Sequence, residues 1–360
     1  MNCLPRKISL GIALSIFLTG CAQTGPPLPP SLELPKPPSD LRAGRKGNEV
    51  TLTWTEPTRT TDRKSVRYLG PTRICRSIEA EMKDCGNPVG QLPTPPQSSQ
   101  AAASAQPQLL VFVDRLPPEI LQQIPNDLTY AVEVLNRDGR SAGLSNRVQV
   151  AAVPTLPPPS DFHAELTASG VEFAWTTTGA SLAPGVQHRY RIYRRDESTG
   201  KDAVAAEVPI AEAGPMRAQD LTLEWEKTYL YRITSVSVLS KPGGEVQVEG
   251  DDSPAIRIVA HDTFPPAVPA GLQAVFSGEG QKAFVDLIWA PATDADLAGY
   301  NVYRHEADSA AVKLNSHLIK APAYRDDSVA PGKTYYYSVS SVDVRGNESA
   351  RPEETSETVP

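Results

Sequence analysis

Residues 329–339 read VAPGKTYYYSV, a Pro-Gly turn followed by a run in which every second residue is apolar. A period of two predicts a β-strand with one buried face, and the Pro-Gly pair predicts a tight turn before it. The same template occurs twice earlier, as IPNDLTYAVEV at 124–134 and LEWEKTYLYRI at 223–233. In each copy an apolar residue lies six positions before the leading tyrosine, so the chain contains an internal repeat.

Three more segments precede each copy in the same order. The first follows a Pro-rich stretch, the second is an alternating run that ends in tryptophan, and the third is an alternating run that ends in arginine. The tryptophans are Trp54, Trp175 and Trp289, and the arginines are Arg76, Arg194 and Arg304. Several short strands repeated in units of about one hundred residues are typical of immunoglobulin-like β-sandwiches.

The composition agrees with several β domains. A length of 360 residues predicts two or three domains. The 35 prolines disfavour long helices, because an interior proline costs a helix about 3 kcal/mol. The formal charge of −7 leaves no basic surface to neutralise phosphates, so nucleic acid is not an expected partner.

The repeats resemble the fibronectin type III family, whose marks are a strand-B tryptophan, a Tyr-x-Val strand C and an apolar-x-Pro-Gly-x-x-Tyr approach to strand F. The resemblance covers about residues 38–360 and fits the third repeat most closely. It implies an all-β fold of three tandem sandwiches, at 40–153, 158–262 and 265–360. It also implies tyrosine corners, in which the hydroxyls of the leading tyrosines Tyr130, Tyr229 and Tyr335 form hydrogen bonds back to the backbone. Asp127 and Glu226 stand where the third repeat has Gly332, so these two turns depart from the family pattern. Proline clusters at 154–159 and 264–269 separate the domains and predict a semi-extended rod.

The amino terminus has the architecture of a signal peptide. Arg6 and Lys7 precede an apolar run of eleven residues, too short to span a bilayer, which leads into Leu-Thr-Gly-Cys at 18–21. This ending resembles the lipobox of bacterial lipoproteins. The resemblance implies a signal peptide over 1–20, a fatty-acylated Cys21 and, because Ala22 is not aspartate, sorting to the outer membrane. An ordinary secretory signal with a chance cysteine is the alternative.

Residues 21–39 hold seven prolines and predict an extended tether after the lipidated cysteine.

Cys75 and Cys85 are then the remaining pair, and an exported chain favours a disulfide between them. Two thiols without a nearby histidine make a metal site the weaker alternative. Residues 86–108 are of low complexity and predict a disordered insertion in the first domain, which either has no role or binds a partner.

The sequence has no pattern typical of catalysis. The five histidines are scattered, which predicts exposed strand or loop positions rather than metal ligation. No phosphate loop, nucleophile elbow or dinucleotide motif occurs, so we predict neither enzymatic activity nor a cofactor. The carboxylates at 294, 296, 326 and 327 could bind calcium, but their density favours ordinary loop residues.

Two features could carry recognition. Arg345 and Asn347 lie in the F-G turn of the third repeat, where tight-turn geometry also explains them. By strand alternation, Tyr303 and Tyr336 point outward from the third repeat's C-F-G sheet. Such tyrosines could stack on a sugar or a protein, or simply stabilise the sheet as a cross-strand pair.

These observations predict a non-catalytic, lipid-anchored scaffold protein of the bacterial cell envelope. Its partners would be the membrane, through the lipid, and an envelope protein or polysaccharide. A surface adhesin or glycan-binding protein is one alternative, and an accessory subunit of an envelope hydrolase is another. The fold does not identify the partner.

Overall fold

The computed structural model describes residues 32–94, 108–121, 127–177, 185–210, 213–241, 243–277, 280, 282–351 and 353–360. The elements between residues 40 and 153 are β1 (Arg42–Lys46), β2 (Glu49–Thr55), β3 (Leu69–Ser77), β4 (Gly90–Leu92), β5 (Leu109–Arg115), α1 (Pro118–Leu121), β6 (Asp127–Asn136), β7 (Ser141–Leu144) and β8 (Val148–Ala151). The chain divides into two compact units. Unit 1 holds residues 32–42, 52–112 and 129–149, and unit 2 holds 43–51, 113–128 and 150–360, with the gaps given above.

The second domain forms two sheets. Its strands are β9 (His163–Thr167), β10 (Gly170–Thr177), β11 (Val186–Asp196), β12 (Asp202–Pro209), β13 (Gly214–Asp220), β14 (Lys227–Lys241), β15 (Gly244–Asp252) and β16 (Ile256–Ala260). One sheet has the order β13-β10-β9. The other has the order β12-β11-β14, and the long strand β14 pairs with β16 along its first part and with β15 along its second.

The third domain repeats this arrangement. Its strands are β17 (Ala270–Ser277), β18 (Phe284–Ala290), β19 (Leu297–Glu306), β20 (Val312–Lys313), β21 (Ala323–Asp326), β22 (Thr334–Asp343) and β23 (Thr355–Thr358). A sheet of order β17-β18-β21 packs on a sheet of order β20-β19-β22-β23. In strand letters both domains have the order A-B-E facing C′-C-F-G, which is the fibronectin type III arrangement.

The alternating residues of the repeat fill the two cores. In the second domain Val171, Phe173 and Trp175 of β10 face the apolar side of β11 and β14. Their third-domain counterparts are Val285, Leu287 and Trp289. Each tryptophan meets a strand-C tyrosine edge-on, with ring centroids 5.6 Å apart for Trp175 and Tyr190 and 5.3 Å for Trp289 and Tyr300. Fully burying one large apolar side chain contributes about 1.5–3 kcal/mol, so these runs stabilise the sandwiches.

Two of the three predicted tyrosine corners are present, and the backbone expected to meet Tyr130 lies outside the described residues. The Tyr335 hydroxyl accepts a hydrogen bond from the amide of Ala330 at 3.1 Å, and the Tyr229 hydroxyl contacts both backbone groups of Glu224. The turn of the second domain also matches that of the third. Glu226 has a φ of 64° and Gly332 a φ of 79°, so a glutamate adopts the left-handed conformation that usually requires glycine.

The first domain corrects one expectation about the insertion. The low-complexity composition predicts disorder at residues 90–92, but they form β4, which pairs with β3 from Thr72 to Ile74. Backbone hydrogen bonding to β3 therefore orders this part in spite of its composition. The remainder at 95–107 lies outside the described residues, as do the signal peptide, Cys21 and most of the tether.

Candidate functional site

One outward position of strand C distinguishes the three domains. It holds Cys75 in the first, Tyr193 in the second and Tyr303 in the third. The structure forms the predicted disulfide between Cys75 and Cys85, and a small apolar cluster with Met82 and Ala131 buries Cys75. The first domain thus uses this position to hold a loop against its sheet.

In the second domain the same position is the centre of a closed polar network. The Tyr193 hydroxyl donates a hydrogen bond to the carboxylate of Glu249. The guanidinium of Arg232 lies over the Tyr193 ring at 4.6 Å from its centroid and bonds to Asp202 and Asp252. Cation–π contact and ion pairing therefore fill the outer face around this tyrosine.

Two cations neutralise Glu249. The Arg191 Nη1 is 2.9 Å from one carboxylate oxygen, and the Lys46 Nζ is 3.5 Å from the other. Partial burial favours the neutral acid, but the Tyr193 hydroxyl and the Arg191 guanidinium outweigh it and lower the pKa of Glu249. Lys46 is brought there by the backbone. It forms a parallel bridge with Glu249, and the amide of Gly47 donates to the Glu249 carbonyl at 2.7 Å.

The third domain keeps the tyrosine–glutamate pair without these cations. The Tyr303 hydroxyl donates to Glu348 Oε1 at 2.6 Å, and Glu348 bridges Val342 of β22 as Glu249 pairs with Val236 of β14. The strand register equates Asn301 with Arg191, two residues before the tyrosine. It likewise equates Ser338 with Arg232, since each lies opposite the tyrosine.

Ser338, the smaller residue at the Arg232 position, lines an open depression of about 470 Å³ on the outer face. We call it the third-domain depression, and its lining residues are Tyr303, Ala311, Ser338, Glu348, Ser349, Ala350, Arg351 and Glu354. Among the described residues no cation lies within salt-bridge distance of Glu348. Partial burial again opposes ionisation, but hydrogen bonds from Ser340, Tyr303 and Asn301 lower the pKa of Glu348, so it is charged at neutral pH.

The two tyrosines proposed for recognition do not form one platform. They lie on the same face, but Tyr336 is opposite His305 and stacks on it with centroids 5.0 Å apart. The guanidinium of Arg351 lies 3.8 Å from the centroid of the Tyr303 ring. Both rings are half-buried, and each already has one face covered by a neighbour within the domain.

Arg345 and Asn347 make contacts with the segment that leaves the second domain. Arg345 Nη1 is 3.1 Å from a carboxylate oxygen of Asp262, and the Asn347 side-chain amide donates to the Asp262 carbonyl at 3.1 Å. Asp262, Asp296 and Asp343 bring their carboxylates together here. Arg345 also lies 3.6 Å from Asp296, so this guanidinium supplies positive charge to the acidic group. The structure assigns both residues a positioning role at this junction.

His188 corrects the expectation that all five histidines are exposed. It is 6% exposed, and its Nδ1 lies 3.0 Å from the hydroxyl of Ser237, which donates to the carbonyl of Pro154. Burial lowers the pKa of His188 and keeps it neutral. The chain between the domains covers this strand position, which sequence alternation alone does not reveal.

A hydrogen-bonded polar cluster not predicted from the sequence, here called the polar staple, joins the two sheets of each sandwich in unit 2. In the third domain Asp326 of β21 accepts from Arg304 Nη1 at 2.6 Å and from the Tyr337 hydroxyl at 3.0 Å. In the second domain Asp220 accepts from Arg194 at 2.7 Å and from Tyr231 at 2.9 Å. A signal was present, since each aspartate is followed two residues later by a hydroxyl residue, Thr222 or Ser328, that bonds to it.

The fold and the strand pattern define the class of protein: three tandem fibronectin type III-like sandwiches. No protein-family model matches the chain. It is 29% identical to an amylopullulanase of Thermoanaerobacterium saccharolyticum over 110 residues, 30% of this chain and 8% of the enzyme. It is 26% identical to exoglucanase B of Cellulomonas fimi over 225 residues, 60% of this chain and 18% of that protein. The chain thus spans less than a fifth of the length of either relative.

Two solved structures are similar. A Fn3-like protein from Clostridium thermocellum is 32% identical, with 27% of this chain and 96% of that chain covered, and a TM-score of 0.23. The chicken CNTN1 FN1–FN3 domains are 14% identical over 91% of this chain and 100% of that chain, with a TM-score of 0.26. Both TM-scores are low, so the class follows from the strand order and the repeated core residues.

Within the described residues, no helix has the length and apolar character needed to cross a membrane.

Proposed function

We propose that this chain is a non-catalytic scaffold protein of the bacterial cell envelope, anchored by lipid on Cys21, which presents its sandwich domains to another envelope protein. One observation carries the proposal. In the second domain, ion pairs cover the outer face of the sheet. In the third domain the same face is open, and Glu348 and Tyr303 line a depression of about 470 Å³ there. The relatives support a non-catalytic role, because the chain matches only 8% and 18% of the two enzymes.

The lipid anchor is tested with the Cys21→Ser chain, in which oxygen replaces the thiol sulfur. We expect the wild-type chain to incorporate an alkyne-labelled palmitate analogue and to sediment with membranes, because several acyl chains together bind a bilayer stably. The Cys21→Ser chain should lose the label and move to the soluble fraction. A Cys3→Ser chain is the matched control and should behave as wild type. A Cys21→Ser chain that stays lipid-labelled would contradict the anchor.

Glycan binding is a second candidate function. The names of both relatives denote enzymes that act on polysaccharides, and Tyr303 and Tyr336 lie on one outer face. If this face binds sugar, the Tyr303→Ala, Tyr336→Ala chain will lose retention on polysaccharide columns. An adhesin also requires an outward orientation. Protease treatment of intact cells, with a lysed-cell control, will then cleave the third domain without lysis.

A further inference from the structure

In the second domain, another segment of the chain covers part of the outer face. Strand β1 ends beside the edge of β15, where Lys46 forms a single parallel bridge with Glu249 and its ammonium reaches Glu249 and Asp252. The contact combines a backbone hydrogen bond from Gly47 with a charge pair of 2.7 Å between Lys46 and Asp252. Strand addition of this kind takes affinity from the backbone and specificity from the side chains.

The corresponding edge of the third domain has one matching carboxylate, Glu348 at the position of Glu249. Residues 348–349 pair with β22 on one side, through the bridge of Glu348 to Val342 and the bond from the Ser349 amide to Ser341. Glu348 accepts from the hydroxyls of Tyr303 and Ser340, so its carboxylate is held in place by neutral groups. In the second domain the equivalent carboxylate contacts two cations.

The charges around the third-domain depression favour a basic ligand group. Glu348 and Glu354 contribute two carboxylates to the lining, and Arg351 contributes one cation, which lies over the Tyr303 ring. Lys313 acts on Glu348 only from a longer distance. Ser338 replaces Arg232 in the lining of the depression, and Asn301, which replaces Arg191, gives Glu348 a neutral hydrogen bond instead of a cation.

We propose that the third-domain depression docks an extended segment of a partner protein, which adds along the edge at Glu348 and places a lysine or arginine against that carboxylate. The proposal rests on the proposed scaffold function and names the chemistry of its partner. The incoming cation takes the place that Lys46 and Arg191 have at Glu249. A glycan would use the ring faces of Tyr303 and Tyr336 instead, and each ring already has one face covered.

The probe is a fluorescein-labelled peptide, RAGRKGNEV, which copies residues 42–50 and so contains a segment with this docking chemistry. Its binding to the full chain is measured by fluorescence anisotropy. We expect saturable binding that weakens at least about tenfold in the Glu348→Gln chain, which keeps the size of the side chain and removes its charge. A peptide with glutamine in place of the lysine should bind the wild-type chain more weakly, to a similar extent.

Two further variants sharpen the test. Asn301→Arg places a cation beside Glu348 and Ser338→Arg fills the depression that Ser338 lines, so we expect the chain with both changes to lose binding. Glu245→Gln removes an exposed glutamate on β15 and should leave binding unchanged. Circular dichroism establishes that each variant is folded.

Equal binding to the wild-type and Glu348→Gln chains would overturn the proposal, as would no binding to the wild type. Polysaccharide binding that is lost in Tyr303→Ala but kept in Glu348→Gln would assign the face to sugar and also overturn it. Fractionation of the Cys21→Ser chain does not involve this face. The scaffold function and the docking chemistry can therefore fail separately.

Discussion

At the scale of single residues, the sandwiches of unit 2 depend on one buried aspartate each. Asp220 is 1% exposed and Asp326 is 2% exposed, and each accepts from an arginine of strand C and a tyrosine of strand F. These bonds cross from one sheet to the other. A buried carboxylate costs free energy unless it is fully paired, so the arrangement constrains the position of both sheets.

Replacing Asp326 will destabilise the third domain. Asp326→Ala leaves Arg304 and the Tyr337 hydroxyl without their acceptor, and loss of one partner of a buried pair costs about 3–5 kcal/mol. The measurement is urea unfolding followed by tryptophan fluorescence. The exposed neighbour Asp327 is the matched control, and Asp327→Ala should change the unfolding free energy by less than about 0.5 kcal/mol. Equal effects of the two changes would show that the staple contributes nothing.

Asp326 also determines how the unfolding free energy of the third domain changes with pH. Burial opposes the charge of Asp326, but Ser328 and Arg304 outweigh it and hold its pKa below the ordinary value of 3.8. A lowered pKa means that the ionised group stabilises the fold above the unfolded value, and that this stability is lost as pH falls through the lower folded value. Asp326→Asn should therefore lose less unfolding free energy than wild type on acidification below pH 3.8. A steeper loss in the variant would contradict this assignment.

At the scale of elements, strand C keeps its place in the fold while its outward residue changes role. Cys75 closes a loop, Tyr193 centres an ion network and Tyr303 borders a depression. The inward residues Ile74, Ile192 and Val302 are all fully buried. Core packing thus restricts one face of the strand, and the other face is free to differ among the repeats.

The disulfide should stabilise the first domain through its short loop. Closing a loop of 10 residues restricts the unfolded chain, and its removal should lower the unfolding free energy by about 2–3 kcal/mol. The test compares the Cys75→Ala, Cys85→Ala chain with wild type by chemical denaturation. Dithiothreitol should destabilise wild type and leave the double variant unchanged. Insensitivity of both chains to the reductant would contradict the pairing in solution.

At the scale of the whole molecule, the junction between the second and third domains is held by charge. Arg345 contacts Asp262, Asp296 and Glu226, and Glu226 in turn accepts from the amide of Asp262. The carboxylate of Glu226 also lies 2.7 Å from His261. These bonds give a physical reason for a glutamate with positive φ at a turn where the third domain has glycine.

Removal of Arg345 should loosen this junction. Arg345→Ala leaves the buried Asp262 carboxylate without its cation, and hydrogen bonds to charged groups contribute about 1.5–3 kcal/mol. We expect the amides of Asp262 and Phe264 to exchange hydrogen about tenfold faster or more, measured by mass spectrometry or NMR. Arg137→Ala, in the corresponding turn of the first domain, is the control and should leave this exchange unchanged. Unchanged exchange in Arg345→Ala would remove the proposed positioning role.

The class of fold follows from the amino-acid pattern alone. Alternation around Trp175 and Trp289, with the tyrosine six residues after an apolar position, located the strands and the two cores, because burial of one face requires a period of two. It also predicted the disulfide and the two tyrosine corners. The lipid on Cys21 remains a prediction, because that residue lies outside the described chain.

The contacts on the outer faces of the sheets could not be predicted without the folded structure. No sequence motif marks the polar residues of the third-domain face. Strand register shows that Asn301 and Ser338 correspond to Arg191 and Arg232. The strand pairing likewise shows that Glu348 corresponds to Glu249. The burial of His188 and the engagement of Arg345 likewise depend on residues 49 and 83 positions away along the chain. Local periodicity reports which face of a strand is buried. It does not report which distant side chains meet on the other face, because those contacts form only when the sheets have assembled.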